Sequence, residues 1–291
     1  MSIPNTLRKA LADEQNLEIS QVQPVAGGSI NRAAKLHTDQ GVLFLKWNES
    51  ADPDMFGKEV RGLRLLRNAE TDLILPKVLS YNDQKGSSPG YLLMKFISSD
   101  GWENHQNAPA EFGKQLARLH QHSAKEFGLD HDNYIGLLPQ SNQTHPSWTK
   151  FFIHERIEPQ LKRALENDVL NSSSMQHWKN LAARLNELFP KASPSLLHGD
   201  LWSGNYFFNS EGKAVLIDPA VYYGHPEMEL SFTRMFGGFS SAFYDAYQSV
   251  STLEPGFKDR VPVYNLYPLL VHANLFGGHY ARQVTSFLQR Y

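Results

Sequence analysis

Apolar and polar positions change their rhythm about one third of the way along the chain. Up to about residue 97 the apolar positions come in short β-favouring runs, at Ile19–Val25, Arg32–His37 and Val42–Trp47, divided by a Gly-Gly turn and by Thr38-Asp39-Gln40-Gly41. This predicts a meander of three strands. In residues 52–69 the apolar positions Phe56, Val60, Leu63 and Leu66 follow helical spacing, with Asp52 as the expected cap and Pro53 at the first helical position. "LILPKVLSYN" and "GYLLMKFI" predict two more strands around a polar turn. Beyond residue 98 a period near 3.6 takes over, in "PAEFGKQLARLHQHSA", "SWTKFFIHERIEPQLKRALEN", "SMQHWKNLAARLNELFP" and the aromatic C-terminal stretch. Only "NYFFNSEGKAVLID" interrupts, as a hairpin around Ser210-Glu211-Gly212. The expected class is α+β. A small lobe over 1–97 carries a five-stranded antiparallel sheet and one helix, and a larger, mainly helical lobe spans 98–291.

Composition narrows the function. With 41% hydrophobic and 12% aromatic residues among 291, a sizeable core is available. Lys plus Arg number 28 against 30 Asp plus Glu, so no strong field points to nucleic acid or an anionic membrane, and any phosphate chemistry must rest on local arrangement. The absence of cysteine excludes disulfides, thiolate metal sites and cysteine nucleophiles, and suits a reducing compartment. No apolar run reaches the length of a membrane helix, and the opening residues lack the apolar run of a signal peptide. The expectation is a cytoplasmic protein, with a monomer favoured.

The densest chemistry lies in "HGDLWSGN". His198, Asp200, Leu201 and Asn205 fill the pattern H-R-D-L-x-x-x-N except for its arginine, here Gly199. Downstream, Val215 to Ile217 form an apolar run ending at Asp218, on the second arm of the predicted hairpin. Phosphoryl transfer needs such groups: a carboxylate to take the acceptor hydroxyl's proton, and hard oxygens to hold magnesium on the phosphates. Asp200 is the candidate base, Asn205 and Asp218 the candidate metal ligands, and His198 a support for the loop. Taken singly, Asp and Asn are ordinary turn formers, and only the combination favours chemistry. Pro219 follows Asp218 where a protein kinase has Phe-Gly, which argues against a protein kinase proper.

A second set lies in the small lobe. Lys46 ends the apolar run "VLFLK", and a strand-ending lysine is usually a solvated edge residue. Glu59, however, falls on the apolar side of its helix, where a carboxylate is costly unless a cation meets it, and Lys46 is the natural candidate. Gly27, Gly28 and Ser29 lie in the turn between the first two strands, where glycines let backbone amides approach phosphates. The turn is neither a P-loop nor a dinucleotide fingerprint. His120, His122, His272 and His279 lack zinc-site spacing, and Ser203 lacks a nucleophile elbow.

With "GGSIN", "FLKWN", "KEVRGLRLL", "WTKFFIHERIEPQL", "HGDLWSGN", "IDPAVYYGHPEMELSFTRMFGG" and "LLVHANLFGG" in order along it, the chain resembles the fructosamine kinase (ketosamine-3-kinase) family, relatives of the aminoglycoside phosphotransferases. The resemblance implies a two-lobed protein-kinase-like fold and an ATP- and Mg2+-dependent kinase acting on the 3-hydroxyl of ketosamines, free or protein-bound, in deglycation repair. It implies Asp200 as base, Asn205 and Asp218 on magnesium, Lys46 on the nucleotide with Glu59 behind it, and Met94, Lys95 and Phe96 holding adenine through backbone groups. Position near the base suggests Trp202 and Tyr222 for the ketosamine side. Two positions depart from the family: Ser29 stands where some members have cysteine, and His225 where an acidic residue often follows "YYG", with an N-cap role conceivable for either type. The alternatives are a kinase of another small alcohol, such as an aminoglycoside or choline-like substrate, and a non-catalytic nucleotide-binding protein.

Overall fold

The structure is a computed structural model that describes residues 3–25, 30–50, 52–83 and 89–291. Gly27, Gly28 and Ser29 lie outside the described residues. By internal contacts the chain divides into two compact units, residues 1–106 with 206–218, and residues 107–205 with 219–291.

The first unit opens with a helix, α1 (Asn5–Gln15), in a stretch whose polar composition gave little sign of one; Leu7 and Leu11, four residues apart, are its buried positions. Strands β1 (Ile19–Val25), β2 (Arg32–Thr38) and β3 (Gly41–Asn48) follow, then helix α2 (Met55–Arg67) and strands β4 (Val78–Asn82) and β5 (Gly90–Lys95). They form one five-stranded antiparallel sheet, as expected, in the order β1-β2-β3-β5-β4. Leu43, Leu45 and Trp47 of β3 pack on one face with Leu36, Leu93, Leu7 and Leu11. Side chains alternate along a strand, so Lys46 points to the opposite face. Helix α2 starts later than expected. Asp52 does not cap it; residues 52–54 form a turn in which Met55 N–H donates to Asp52 O at 3.1 Å, and Asp54 occupies the cap position.

The hairpin Tyr206–Phe208 with Ala214–Leu216 belongs to this first unit. Ile74 clamps it: Ile74 N–H donates to Ala214 O at 2.8 Å, and Leu216 N–H donates to Ile74 O at 2.9 Å. Trp102 packs on Phe208 with ring centroids 5.1 Å apart.

The second unit is built on helices around a core that includes Phe151, Phe152, Trp178, Tyr222, Tyr264 and Leu270. Helix α3 (Ala108–His120) meets the helix Ser241–Val250 at Gly113, where a Cβ would stand 2.1 Å from Phe243 O. The segment expected as one continuous helix from Trp148 is not uniform. A wide π turn spans Phe152–Ile157 before the helix Glu158–Glu166. Pro159 in that helix's first turn has no N–H to give, and Glu155 O, four residues back, accepts from Arg156 Nη1 at 3.0 Å instead. Two short pairings were not anticipated: Asn133–Ile135 with Leu138–Gln140, and Ser195–Leu197 with Tyr222–Gly224. The latter ends directly at His198. Among the described residues no helix is long and apolar enough to cross a membrane.

Candidate active site

In the first unit, strand β3, helix α2 and the end of the hairpin converge on one ammonium group. Lys46 Nζ lies 2.9 Å from Glu59 Oε2 and 2.9 Å from Asp218 Oδ1, a residue 172 positions away. The lysine side chain is 7% exposed and that of Asp218 44%, so the cation is held inside and one carboxylate faces outward. Burial works against the charge on Lys46, but Asp218 and Glu59 outweigh it and hold the pKa above its usual value. The ammonium is therefore permanent at neutral pH. Asp218 takes up a left-handed backbone conformation, φ 55°, which Asp tolerates better than most residues.

Met94 is buried in β5 between Phe44 and Val78. The N–H groups of Lys95 and Phe96 donate to Lys77 O at 2.9 Å and Val42 O at 3.4 Å, so these two donors are committed within the protein.

In the second unit, the loop after Leu197 brings together Asp200, His198 and Asn205. Asn205 Nδ2 donates to both the main-chain oxygen and Oδ2 of Asp200, each at 2.9 Å. With its nitrogen so engaged, Asn205 keeps its carbonyl oxygen for another partner. His198 is fully buried, and its Nδ1 accepts the Asp200 N–H at 3.3 Å. Gly199, where the kinase pattern has arginine, has φ 85°, and a Cβ on it would stand 1.9 Å from Ala220 O. No side chain fits between this loop and the strand that begins at Tyr222.

Asp200 lines a narrow cavity of about 20 Å³ with Gly199, Ile135, Tyr222, Tyr267 and His272 among others. Tyr222 is 1% exposed and backed by Arg156, whose guanidinium carbon lies 3.9 Å from the ring centroid. Arg156 is itself fully buried; it donates to Ser141 O at 2.6 Å and Asn142 Oδ1 at 2.8 Å, and lies 4.4 Å from the Phe151 ring centroid. Trp202 is half-buried and meets Phe236 edge-on at 5.7 Å.

One residue that sequence reasoning passed over anchors this loop. Glu229 Oε1 accepts from Gly199 N–H at 2.7 Å, and Oε2 from His198 N–H at 3.2 Å. His120 Nε2 lies 2.9 Å from the same Oε2, and His120 Nδ1 lies 2.8 Å from the Tyr247 hydroxyl. Burial would raise the Glu229 pKa, but His120, His198 and the Gly199 N–H prevail and lower it. The signal was available: an acid on the otherwise buried helix Pro226–Thr233 needs a donor, the argument already applied to Glu59. His225 caps that helix, its Nδ1 accepting the Glu227 N–H at 3.1 Å. Burial, helped by the Arg260 charge, pushes its pKa down to about 3, so it is neutral.

The family model for fructosamine kinase matches residues 3–291. The chain belongs to that family. It is 39% identical to a Lactiplantibacillus plantarum protein named probable ketoamine kinase, over 94% of this chain and 95% of that one. It is 35% identical to the chloroplastic protein-ribulosamine 3-kinase of Arabidopsis thaliana, over 97% and 85%. Among solved structures, a Thermobifida fusca protein named putative fructosamine-3-kinase aligns with TM-score 0.85 and 29% identity over 99% of this chain and 98% of that one. A thermostable mutant of the aminoglycoside phosphotransferase APH(4)-Ia aligns with TM-score 0.61 at 16% identity, over 97% and 98%, which shows the shared kinase-like fold.

Proposed function

We propose that this member of the fructosamine kinase family transfers the γ-phosphoryl group of ATP to the 3-hydroxyl of ketosamines, free or on protein amines. The observation that carries the reading is the buried Lys46 ammonium held at 2.9 Å by both Glu59 and Asp218. A permanent cation on a sheet face, fixed by a helix carboxylate, is suited to nucleotide phosphates. The names of the curated relatives support the ketosamine as acceptor.

Asp200 would accept the proton of the 3-hydroxyl as that oxygen bonds to the γ-phosphorus and the bond to the β-phosphate oxygen breaks, releasing ADP. Asn205 keeps Asp200 in position through two hydrogen bonds. Magnesium fits the chemistry of the donors: the Asp218 carboxylate, 44% exposed, offers a hard oxygen to an ion that takes one or two protein oxygens and the rest from phosphates and water. Asp218 and the carbonyl oxygen of Asn205 are the ligands we assign. When bound, the ion would neutralise charge on the phosphates. Adenine would be held near Met94, Lys95 and Phe96 by groups other than the two committed N–H donors.

The test is ADP release with fructosyl-, ribulosyl- and erythrulosyl-amines set against aminoglycosides and choline. Turnover confined to ketosamines is expected, and turnover of only the others would overturn the acceptor assignment. Lys46→Met should raise the KM for ATP and lower kcat at least tenfold; unchanged kinetics would remove Lys46 from the phosphates.

A further inference from the structure

From the cavity that holds Asp200, a series of aromatic rings leads outward within the second unit. His272 lines the cavity, and its ring lies 5.1 Å from Phe236, 5.8 Å from Phe276 and 4.9 Å from Tyr280. Phe236 continues to Trp202. Phe236 and Phe276 are among the few large apolar side chains left open, at 38% and 55% exposure. Scattered exposed rings need no explanation, but a contiguous strip joined to a catalytic pocket does. Its outer end is built by the glycine pair: the helix Leu266–Phe276 stops at Gly277, φ 62°, the next helix starts at Gly278, and Tyr280 comes to lie 6.3 Å from Phe276.

His272 adds direction to this strip. Its Nδ1 lies 2.7 Å from Pro268 O. A carbonyl only accepts, so Nδ1 carries the hydrogen and Nε2 keeps a lone pair. Burial also lowers the ring's pKa, so it does not repel a cation at neutral pH. Aromatic faces beside a neutral imidazole acceptor match a protonated amine with an alkyl arm. A ketosamine has that chemistry: its sugar must reach Asp200, and its amine substituent must then lead away from the cavity.

The geometry points to the ledge of Trp202, Phe236, His272, Phe276 and Tyr280 as the subsite for the amine-bearing arm of the ketosamine, selecting extended alkylammonium carriers over short ones. The inference rests on the ketosamine kinase reading and adds to it which carriers are preferred. An extended alkyl arm lays its methylenes along the rings, whereas a methylamine adduct ends before the outer pair.

The experiment compares kcat/KM for fructose adducts of hexylamine and methylamine in the wild type, Phe276→Ala, Tyr280→Ala and Phe276→Tyr, with thermal melts to confirm folding. The hexyl-to-methyl ratio should fall about threefold or more in the two alanine variants, the loss of about one buried methylene's contact with a ring, and recover in Phe276→Tyr. An unchanged ratio overturns the ledge. So does a Phe276→Ala variant that alters sedimentation but not the ratio, because the strip would then be a contact between copies of the chain. Failure of the wild type on both adducts would sink the ketosamine reading itself, and the ledge with it.

Discussion

Asp200 keeps one carboxylate oxygen on the Asn205 amide, so its replacement by Asn preserves size while removing the proposed proton acceptor. Asp200→Asn should lower kcat by about 10²- to 10⁴-fold and leave ATP affinity, measured by calorimetry, nearly unchanged. Equal losses in both would mean that the side chain serves the nucleotide. His225 offers a second test at this scale. Its folded pKa of about 3 lies far below the roughly 6.5 of an exposed histidine, so the unfolded chain binds the extra proton first. The stability this gives is fully present above about pH 6.5 and is lost as pH falls toward 3, in total on the order of a few kcal/mol. His225→Asn, which can still cap Glu227, should therefore flatten the acid limb of a Tm-against-pH curve relative to wild type; parallel curves would refute the shift. Lys46 and Glu59 could be singled out because a carboxylate on an apolar helix face demands a cation, and Asp200 because of its spacing from His198 and Asn205. Glu229 satisfied the same rule, but the stretch "GHPEMELSF" that holds it served only as a mark of resemblance, and nothing near it in sequence names His120 as its partner.

At the scale of elements, Gly199 sets the path of the candidate catalytic loop. A methyl group there would collide with Ala220 O and would have to adopt a positive φ. Gly199→Ala should destabilise the protein by about 1–3 kcal/mol in urea melts and lower kcat by more than tenfold, because the loop and the strand from Tyr222 must separate. Wild-type kinetics would show that the loop can shift without cost. The five strands of the sheet were legible because short β-favouring runs and the turn residues between them are local signals. The pairing of Ser195–Leu197 with Tyr222–Gly224 was not, since three residues carry no periodicity and their partner lies 27 positions on. The π turn at Phe152–Ile157 was hidden for a related reason: its apolar spacing is close to helical, and only Pro159 marks the fault. Likewise α1 buries two leucines in eleven residues, too sparse a stripe to stand out in a polar segment.

For the whole molecule, the least legible fact was where the hairpin 206–218 resides. Its two apolar runs foretold a hairpin, but nothing in them names Ile74 and Trp102 as neighbours. Residues 1–106 expressed alone should consequently be less stable than the same unit in the full chain, with faster amide exchange at Ile74; equal protection would show that the sheet does not need the hairpin. The same attachment has a consequence during synthesis. When residue 106 leaves the ribosome, Lys46 has only Glu59 for company and the backbone of Ile74 is unpaired. At about 5–20 residues per second, roughly 5 to 20 s pass before Asp218 follows it out. For that interval the nascent chain carries unpaired backbone at Ile74 and an uncovered Trp102, and a chaperone that covers such segments would find its substrate there.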